Sequence, residues 1–391
     1  MCHVMAGRIA LAALLLWAAV TPTTAADISA GGQVRSRWEL RDTPDNDYHT
    51  ATRTRADLAA TLDGGVSAFM QWQDVRIWGE ESNTLGDFRG DNIDLHQGWA
   101  QFSDFAGTGV DLRLGRQEIS FGGQRLVGAV DWTNQGRSFD AARATWRPAG
   151  STIDLIASRL GDTTSPAAAG DATFAGAYAT VAPLAGSELY LLYNSLDATT
   201  GQYTAGVRKK GMAAGFSYRV EGAWQTGERA GLDVAAFLAA ARLGRRTGGV
   251  DVALWIDYLS GDDDLTDNET RVFDTLFATN HKFYGYADYF LNIPLHTAGR
   301  GLQDVALKAN KVLRPGLTLG LDLHSFSLAQ DQGLSSAHLG EELDLTIGAD
   351  YRSVAHFTGG VSYVLAADGF ADIGRLADNA LFMYVMTDVR F

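Results

Sequence analysis

Residues 316–329, GLTLGLDLHSFSLA, alternate between apolar and polar side chains along most of their length. Leucines occupy positions 317, 319, 321 and 323, whereas Asp322 and His324 fall at even positions. Because the side chains of an extended chain point alternately to opposite faces, the leucines share one face and the polar residues share the other. The segment therefore predicts a β-strand that separates an apolar environment from water, as in the wall of a transmembrane barrel.

The same period of two recurs along the chain. Similar runs lie at 52–62, 110–119, 203–210, 215–225, 302–313 and 341–352. After Val20, no apolar run approaches the ~18 residues that a membrane-spanning helix needs. The repeated alternation predicts strands, and it excludes a helical membrane protein.

The connections between these segments alternate between short and long. Short turns are predicted at 63–65, 105–109, 148–151, 184–187, 210–212, 245–249, 314–316 and 352–355. Long polar loops are predicted at 42–49, 79–93, 120–136, 161–171, 196–201, 226–230, 260–300, 330–340 and 366–379. These connections delimit about 18 strands, with 16 as the alternative. We predict an all-β fold, a transmembrane antiparallel up-and-down β-barrel with both termini periplasmic, in the outer membrane of a Gram-negative bacterium.

The N-terminal segment has the features of an export signal. Arg8 precedes an apolar run over 9–20, and the small residues Ala25 and Ala26 suit cleavage. This arrangement predicts a signal peptide over 1–26 and a barrel over 27–391. A membrane anchor is the alternative, but the run is shorter than the ~20 residues that spanning requires. Cys2 is the single cysteine and lies in this segment, so neither disulfides nor thiol chemistry are expected in the mature chain.

The chain ends with the alternating segment 381–391 and the aromatic residue Phe391. This segment predicts the closing strand, with its last side chain at the membrane interface. A terminal phenylalanine also resembles the signal by which the barrel assembly machinery recognises its clients. The expected partners are that machinery, outer-membrane lipid and lipopolysaccharide, and the expected state is a monomer. A net charge of −14 argues against nucleic acid as a partner.

Two segments resemble a known family. They are VDLRLGRQEISFGGQRLVG at 110–128, which continues as DWTNQGRSFDAAR at 131–143, and FDTLFATNHKFYGYAD at 273–288. The first resembles the signature of the alginate export family of outer-membrane proteins, and the second resembles a long loop near that family's C-terminal third. The resemblance implies an 18-stranded barrel that passes an anionic polysaccharide, or related acidic solutes, by passive diffusion.

Alternation also predicts which charged side chains face the lumen. Arginines fall opposite the apolar face of their strands at Arg35, Arg37, Arg53, Arg55 and Arg113. A guanidinium stays charged and its planar fork matches a carboxylate, so a lumen lined with arginines would select acidic sugars and bind them weakly. The alternative is that each arginine pairs with a nearby acid on the wall, Glu39, Asp57 or Asp111, and only stiffens the barrel.

A glycine-containing loop follows the strand that ends near Arg116. Gly122 and Gly123 tolerate a positive φ and would let this loop fold into the lumen and narrow the pore. Arg116, where the strand leaves the membrane, is also predicted to line the pore. On the family's pattern, the constriction would include Arg125, Arg137 and Arg143, with Glu118, Asp131 and Asp140 as structural partners. The alternative is that these residues form a scaffold and do not contact solute.

Two other classes of function were weighed. A barrel-embedded enzyme would need a nucleophile, a base and an orienting group, and the sequence has no G-x-S-x-G elbow and no histidine near Ser120. We therefore do not expect an enzyme. The main alternative to an export channel is a general or substrate-specific uptake porin for small anionic or polar solutes, because an arginine-lined lumen passes anions in either direction.

No metal or cofactor is expected from the sequence. The acidic loop 261–269, GDDDLTDNE, is dense in oxygen ligands but fails the 12-residue calcium pattern, so a solvated loop is favoured over a calcium site. Four histidines were considered as zinc ligands, and none has a metal-ligand spacing to another: His281, His296, His324 and His356.

Overall fold

The computed structural model describes residues 26–42, 47–80, 93–161, 171–197, 200–264 and 266–391. The predicted signal peptide and Cys2 lie outside these residues, as do most of the predicted loops at 79–93 and 161–171. In the described part of the chain, no helix is long and apolar enough to cross a bilayer.

The described residues form one 19-stranded sheet. The strands are β1 Ala26–Asp42, β2 Asp47–Leu62, β3 Val66–Ile77, β4 Ile93–Phe102, β5 Val110–Gln117, β6 Phe139–Trp146, β7 Thr152–Gly161, β8 Ala172–Val181, β9 Ser187–Asp197, β10 Thr200–Ala213, β11 Phe216–Arg229, β12 Leu232–Thr247, β13 Val250–Leu259, β14 Glu269–Thr270, β15 Leu302–Arg314, β16 Leu317–Ser327, β17 His338–Tyr351, β18 Ala355–Ala366 and β19 Ala380–Arg390.

Eighteen of these strands make a closed antiparallel barrel, which confirms the predicted fold. The exception is β14, a two-residue strand that lies in a loop and pairs in parallel with β12. Every barrel strand pairs with its neighbour in the chain, and β1 pairs with β19 so that Val34 lies opposite Val389. At this seam the backbone N–H of Gly32 donates to the carbonyl of Phe391 at 2.8 Å. Closure leaves no free sheet edge within the membrane.

The two faces of the wall differ as the alternation predicts. On β17, Leu343 and Leu345 are 43% and 47% exposed, whereas Glu342 and Asp344 between and beside them are each 1% exposed. In a barrel the exposed apolar face contacts lipid and the polar face points inward. The inward direction of any side chain on a strand can therefore be read from its position relative to these exposed leucines.

Several predicted loops are shorter than expected. The predicted long loop at 226–230 is wrong, because β11 continues to Arg229 and only Ala230 and Gly231 connect it to β12. The strands also take up half of 42–49 and most of 196–201. A strand that projects beyond the bilayer has water on both sides, so polar residues there do not mark its end.

Two of the remaining loops fold into the barrel. Loop A (118–138) joins β5 to β6, and loop B (260–301) joins β13 to β15 and contains the short helix α1, Ile293–His296. Their backbones pair directly: Phe277 N–H donates to the carbonyl of Leu126 at 2.8 Å, and Gly128 N–H donates to the carbonyl of Phe277 at 2.9 Å. A second short helix, α2 Asp368–Asp372, precedes β19. The barrel interior is therefore partly filled by a packed pair of loops.

Candidate functional site

Inward-facing arginines of β1 hold one end of loop A. Arg35 donates to the carbonyl oxygens of Asp131 and of Thr133, the latter at 2.7 Å. Arg37 donates to the carbonyl of Trp132 at 2.5 Å and stacks 4.1 Å above its ring centroid. Backbone carbonyls accept these bonds without bringing a countercharge. Arg37 also pairs with Glu39 on its own strand at 2.5 Å, as the alternative of a wall pair predicts.

The arginines of β2 bind the acidic side chains of loop A. Arg53 forms a 2.8 Å ion pair with Asp131, and Arg55 lies 3.6 Å from both Asp131 and Glu118. His96 on β4 contacts the same Glu118 carboxylate at 2.8 Å. Because Arg35, Arg37, Arg53 and Arg55 are only 1–7% exposed, these four predicted pore-lining residues are occupied by the loop.

The far end of loop A is held by Arg125. Its guanidinium donates to Asp257 on β13 at 2.5 Å and to the hydroxyl of Tyr284 at 2.9 Å, and it lies 3.5 Å from Glu221 on β11. Burial by itself would lower the pKa of Arg125, but the charges of Asp257 and Glu221 reverse this effect and raise it. Loop A therefore crosses the interior from β1 and β2 to the wall near β11 and β13.

Replacing Arg125 with methionine is expected to destabilise the folded barrel by about 3–5 kcal/mol, because Asp257 would be left as a buried carboxylate without its main partner. Urea unfolding of the purified barrel in micelles measures this loss. Arg147→Met is the matched control, since Arg147 pairs with Asp111 but is 59% exposed in its side chain. An exposed pair contributes ~1 kcal/mol or less. Equal losses for the two variants would contradict a structural role for the Arg125 cluster.

Arg137 joins the two loops. It donates to the carbonyls of Phe277 and Ala278 in loop B, the latter at 3.3 Å, and burial lowers its pKa to about 10. The fit between the loops is close, because a side chain at Gly128 would meet the hydroxyl oxygen of Thr279. Arg137 was predicted to belong to the constriction, and in the structure it lies at the contact between loops A and B.

Arg113 and Arg143 lie side by side on the inner face of β5 and β6. Arg143 pairs with Asp154 at 2.8 Å. Arg113 donates to the neutral amide of Gln101 at 2.6 Å and stacks 3.9 Å from the centroid of Trp99. Both guanidinium groups are only partly buried, so both remain accessible from the lumen.

The structure contradicts the expected position of Arg116. It shares the outward face of β5 with Leu114, which is 42% exposed, and it pairs with Asp140 at 3.2 Å. Asp140 is thus a partner of Arg116, and Glu118 and Asp131 are partners of Arg53 and Arg55. The sequence analysis predicts these three acids as partners of Arg125, Arg137 and Arg143. In the described part of the chain they form none of those pairs.

Three further cations near the lumen were not singled out from the sequence. Arg219 on β11 stacks 4.2 Å from the ring centroid of Trp255, and Arg242 on β12 donates to Ser217 at 2.9 Å. In loop B, burial and the nearby charges of Arg219 and Arg208 lower the pKa of Lys282. Arg219 could have been found, because it opposes Val220 in the alternating run 215–225.

One cation pairs with part of the acidic loop at 261–269. Arg271 contacts Asp263, approaches Glu269 at 2.6 Å and lies 3.7 Å from Asp267. Three of the carboxylates thus share a cationic partner, and a solvated loop stays our expectation for this segment.

Comparisons with known proteins agree with this geometry. The family model for alginate export matches residues 25–371. No curated protein sequence matches the chain. Among solved structures, OccK2 (OpdF) of Pseudomonas aeruginosa is similar with a TM-score of 0.66 and 15% identity, over 93% of this chain and 98% of that one.

Two more structures from the same organism have the same architecture. The outer-membrane protein OpdK has a TM-score of 0.65 and 11% identity, over 93% of this chain and 98% of that one. OpdO has a TM-score of 0.65 and 16% identity, over 93% and 97%. At these identities the likeness concerns the fold, which is that of outer-membrane porins. Since the family model spans most of the sequence, the chain belongs to the alginate export family and is an outer-membrane channel.

Proposed function

We propose that this channel passes an anionic polysaccharide of the alginate type, or related acidic solutes, by passive diffusion. The observation that carries the proposal is a set of inward-facing arginines with neutral partners. Among the described residues, none of Arg113, Arg219 and Arg242 forms a salt bridge; their contacts are with Gln101, Ser217 and the rings of Trp99 and Trp255. Their positive charge is available to a solute.

These contacts suit a carboxylate that binds briefly and then passes through the channel. Stacking on tryptophan restrains the guanidinium plane, while the edge that carries the N–H donors can still bind a carboxylate. A single charge-assisted hydrogen bond contributes roughly 1.5–3 kcal/mol. Several such sites along the lumen attract an acidic chain, and none binds it tightly enough to stop its passage.

A channel for small acidic solutes is the second candidate, because loops A and B fill part of the lumen. One of the similar structures is described as OpdK with vanillate. Vanillate is a small carboxylate, so a solute of that size would satisfy the same arginines. The two candidates differ in how recognition depends on solute length.

Purified protein in planar bilayers is expected to prefer chloride to potassium, and current through it is expected to be blocked by oligouronates more strongly as their length increases. Longer chains contact more than one arginine at a time, which raises their apparent affinity. Neutral oligosaccharides of matched length are the control. Block by monomeric carboxylates without dependence on length would favour the small-solute channel. Cation preference would contradict both candidates.

The orientation of the chain is part of the proposal. We infer that the N-terminus of the mature chain and Phe391 are periplasmic, because they lie at the end of the barrel that has the short turns, such as Pro148–Gly150. We also propose that residues 1–26 are removed as a signal peptide and that the barrel is assembled through its terminal strand. The assembled protein would contact lipopolysaccharide and be a monomer. The protein acts as a passive channel and catalyses no reaction.

A further inference from the structure

The wall beneath loop B contains a cluster of carboxylates with one histidine. Asp322 and His324 lie two residues apart on the inner face of β16, and Asp344 lies opposite Asp322 on β17. One possible ligand atom from each residue lies within 4.8 Å of the others. All three side chains are buried, at 6%, 2% and 1% exposure. The cluster therefore has the residue types of a metal site, in a place where water is largely excluded.

The charge around this cluster is not balanced. Asp304 and Glu342, also buried, extend it to four carboxylates. Within the described part of the chain, the basic group that bonds to them is Lys308, whose ammonium donates to Asp322 at 2.9 Å. Four carboxylates beside one ammonium leave an excess of negative charge, and buried charges are costly unless they are paired or bind a metal.

The histidine is oriented as a ligand would be. Its Nδ1 lies 3.0 Å from both carboxylate oxygens of Asp304. An ionised Asp304 can only accept, and it would then fix the proton on Nδ1 and leave a lone pair at Nε2 of the neutral ring. Among the described residues, neither Nε2 of His324 nor either carboxylate oxygen of Asp344 has a hydrogen-bond partner. A histidine held from behind by a carboxylate is the usual outer-shell arrangement at protein metal sites.

We propose that Asp322, His324 and Asp344 bind a divalent transition-metal cation such as Zn²⁺. Bond lengths of ~2.0–2.2 Å place tetrahedral ligand atoms roughly 3.4 Å apart, which small rotations of the two carboxylates reach. An imidazole among the ligands suits Zn²⁺ better than Ca²⁺ or Mg²⁺. A proton shared between Glu342 and Asp344 would relieve their repulsion but would leave Nε2 without a partner. A bound cation would both relieve the repulsion between the carboxylates and give Nε2 a partner.

The site would also hold loop B against the wall. Glu342, beside the cluster, accepts a 2.7 Å hydrogen bond from the backbone of Ala287. Burial and the nearby charges of Asp322 and Asp344 raise the pKa of Tyr286, the preceding residue. A cation bound among these carboxylates would remove the repulsion beneath this segment of loop B. Binding is therefore expected to raise the unfolding temperature of the barrel.

Metal content after dialysis tests the site. Protein stripped with EDTA and dialysed against Zn²⁺ is expected to retain one ion per chain. His324→Gln and Asp344→Asn are each expected to abolish this binding, and Asp304→Asn is expected to weaken it roughly 10–100-fold. His356→Gln is the matched control, because His356 also pairs with an aspartate, Asp350, but is exposed near the turn between β17 and β18. Retention of the ion by His324→Gln, or its absence from the wild type, would overturn the proposal.

A second measurement covers the case in which a variant fails to fold. Wild-type protein loaded with Co²⁺ in place of Zn²⁺ is expected to show the visible absorption of a four-coordinate cobalt site, and added Zn²⁺ is expected to displace it. A spectrum of six-coordinate, hydrated Co²⁺ would count against the site. Neither measurement depends on which solute the channel passes.

Discussion

Changing Arg113, Arg219 and Arg242 together to glutamate is expected to reverse the ion preference of the channel from anions to cations. Each substitution changes the local charge by two units, and the three side chains lie on the inner face of β5, β11 and β12. Charges that line a narrow passage act strongly on ions, because the surrounding low-dielectric wall focuses their field. The reversal potential under a salt gradient measures the preference directly, and its sign is expected to change.

The three positions suit this test because their present partners are neutral. Arg113 bonds to Gln101 and Arg242 to Ser217, so their replacement leaves no bonded carboxylate without its cation. A triple change to glutamine is expected to bring the preference close to neutral. Arg116→Glu is the control, because Arg116 lies on the outer face and pairs with Asp140. Anion preference that survives the triple glutamate change would assign selectivity to other groups.

The barrel could be predicted from the sequence because its cause is local. Alternation such as that of Leu321, Asp322 and Leu323 needs only lipid on one side and water on the other. The ends of the strands could not be predicted as well, because polarity marks the end of the bilayer and not the end of the hydrogen-bonded ladder. Thr226 to Arg229 are polar or small, yet they continue β11 in register with β12.

The directions of the site residues could be predicted, but their partners could not. Alternation predicts an inward direction for Arg35 and Arg53, since direction depends only on position along a strand, and both side chains are buried against loop A. Their partner Asp131 lies far away in sequence and reaches them only because loop A crosses the barrel. The position predicted for Arg116 was wrong although alternation indicates its direction: Arg116 has the same parity on β5 as Leu112 and Leu114, and it shares their outward face.

The candidate metal cluster also combines residues whose closeness depends on how strands pair. Comparing histidines only with one another gave no metal-ligand spacing. In a strand, however, residues two apart share a face, so Asp322 and His324 were already paired in the sequence. The third member, Asp344, required the register of β16 against β17, in which Asp322 and Asp344 are directly opposite. A search for i, i+2 pairs of aspartate and histidine would have found the first two.

Changing Arg35 and Arg53 together to glutamine is expected to loosen one end of loop A and to raise single-channel conductance. The two guanidinium groups bond to the carbonyls of Asp131 and Thr133 and to the Asp131 carboxylate. The side chain of Asp131 is 52% exposed, so the loss is smaller than the ~3–5 kcal/mol of a fully buried pair. That loss loosens this end of the loop, which Arg37 and Arg55 still contact, while the Arg125 contacts hold the other end. Conductance at high salt, where surface charge is screened, reports the width of the passage.

Arg113→Gln is the matched control for this change, because Arg113 also faces the lumen but bonds to a wall residue and not to a loop. It removes the same kind of charge, so it is expected to alter ion preference with little effect on conductance. The double variant should do the opposite at high salt: a wider and noisier channel whose preference for anions persists through Arg113, Arg219 and Arg242. Unchanged conductance in the double variant would mean that loop A does not limit the passage. The arginines of β1 and β2 would then serve only the stability of the barrel.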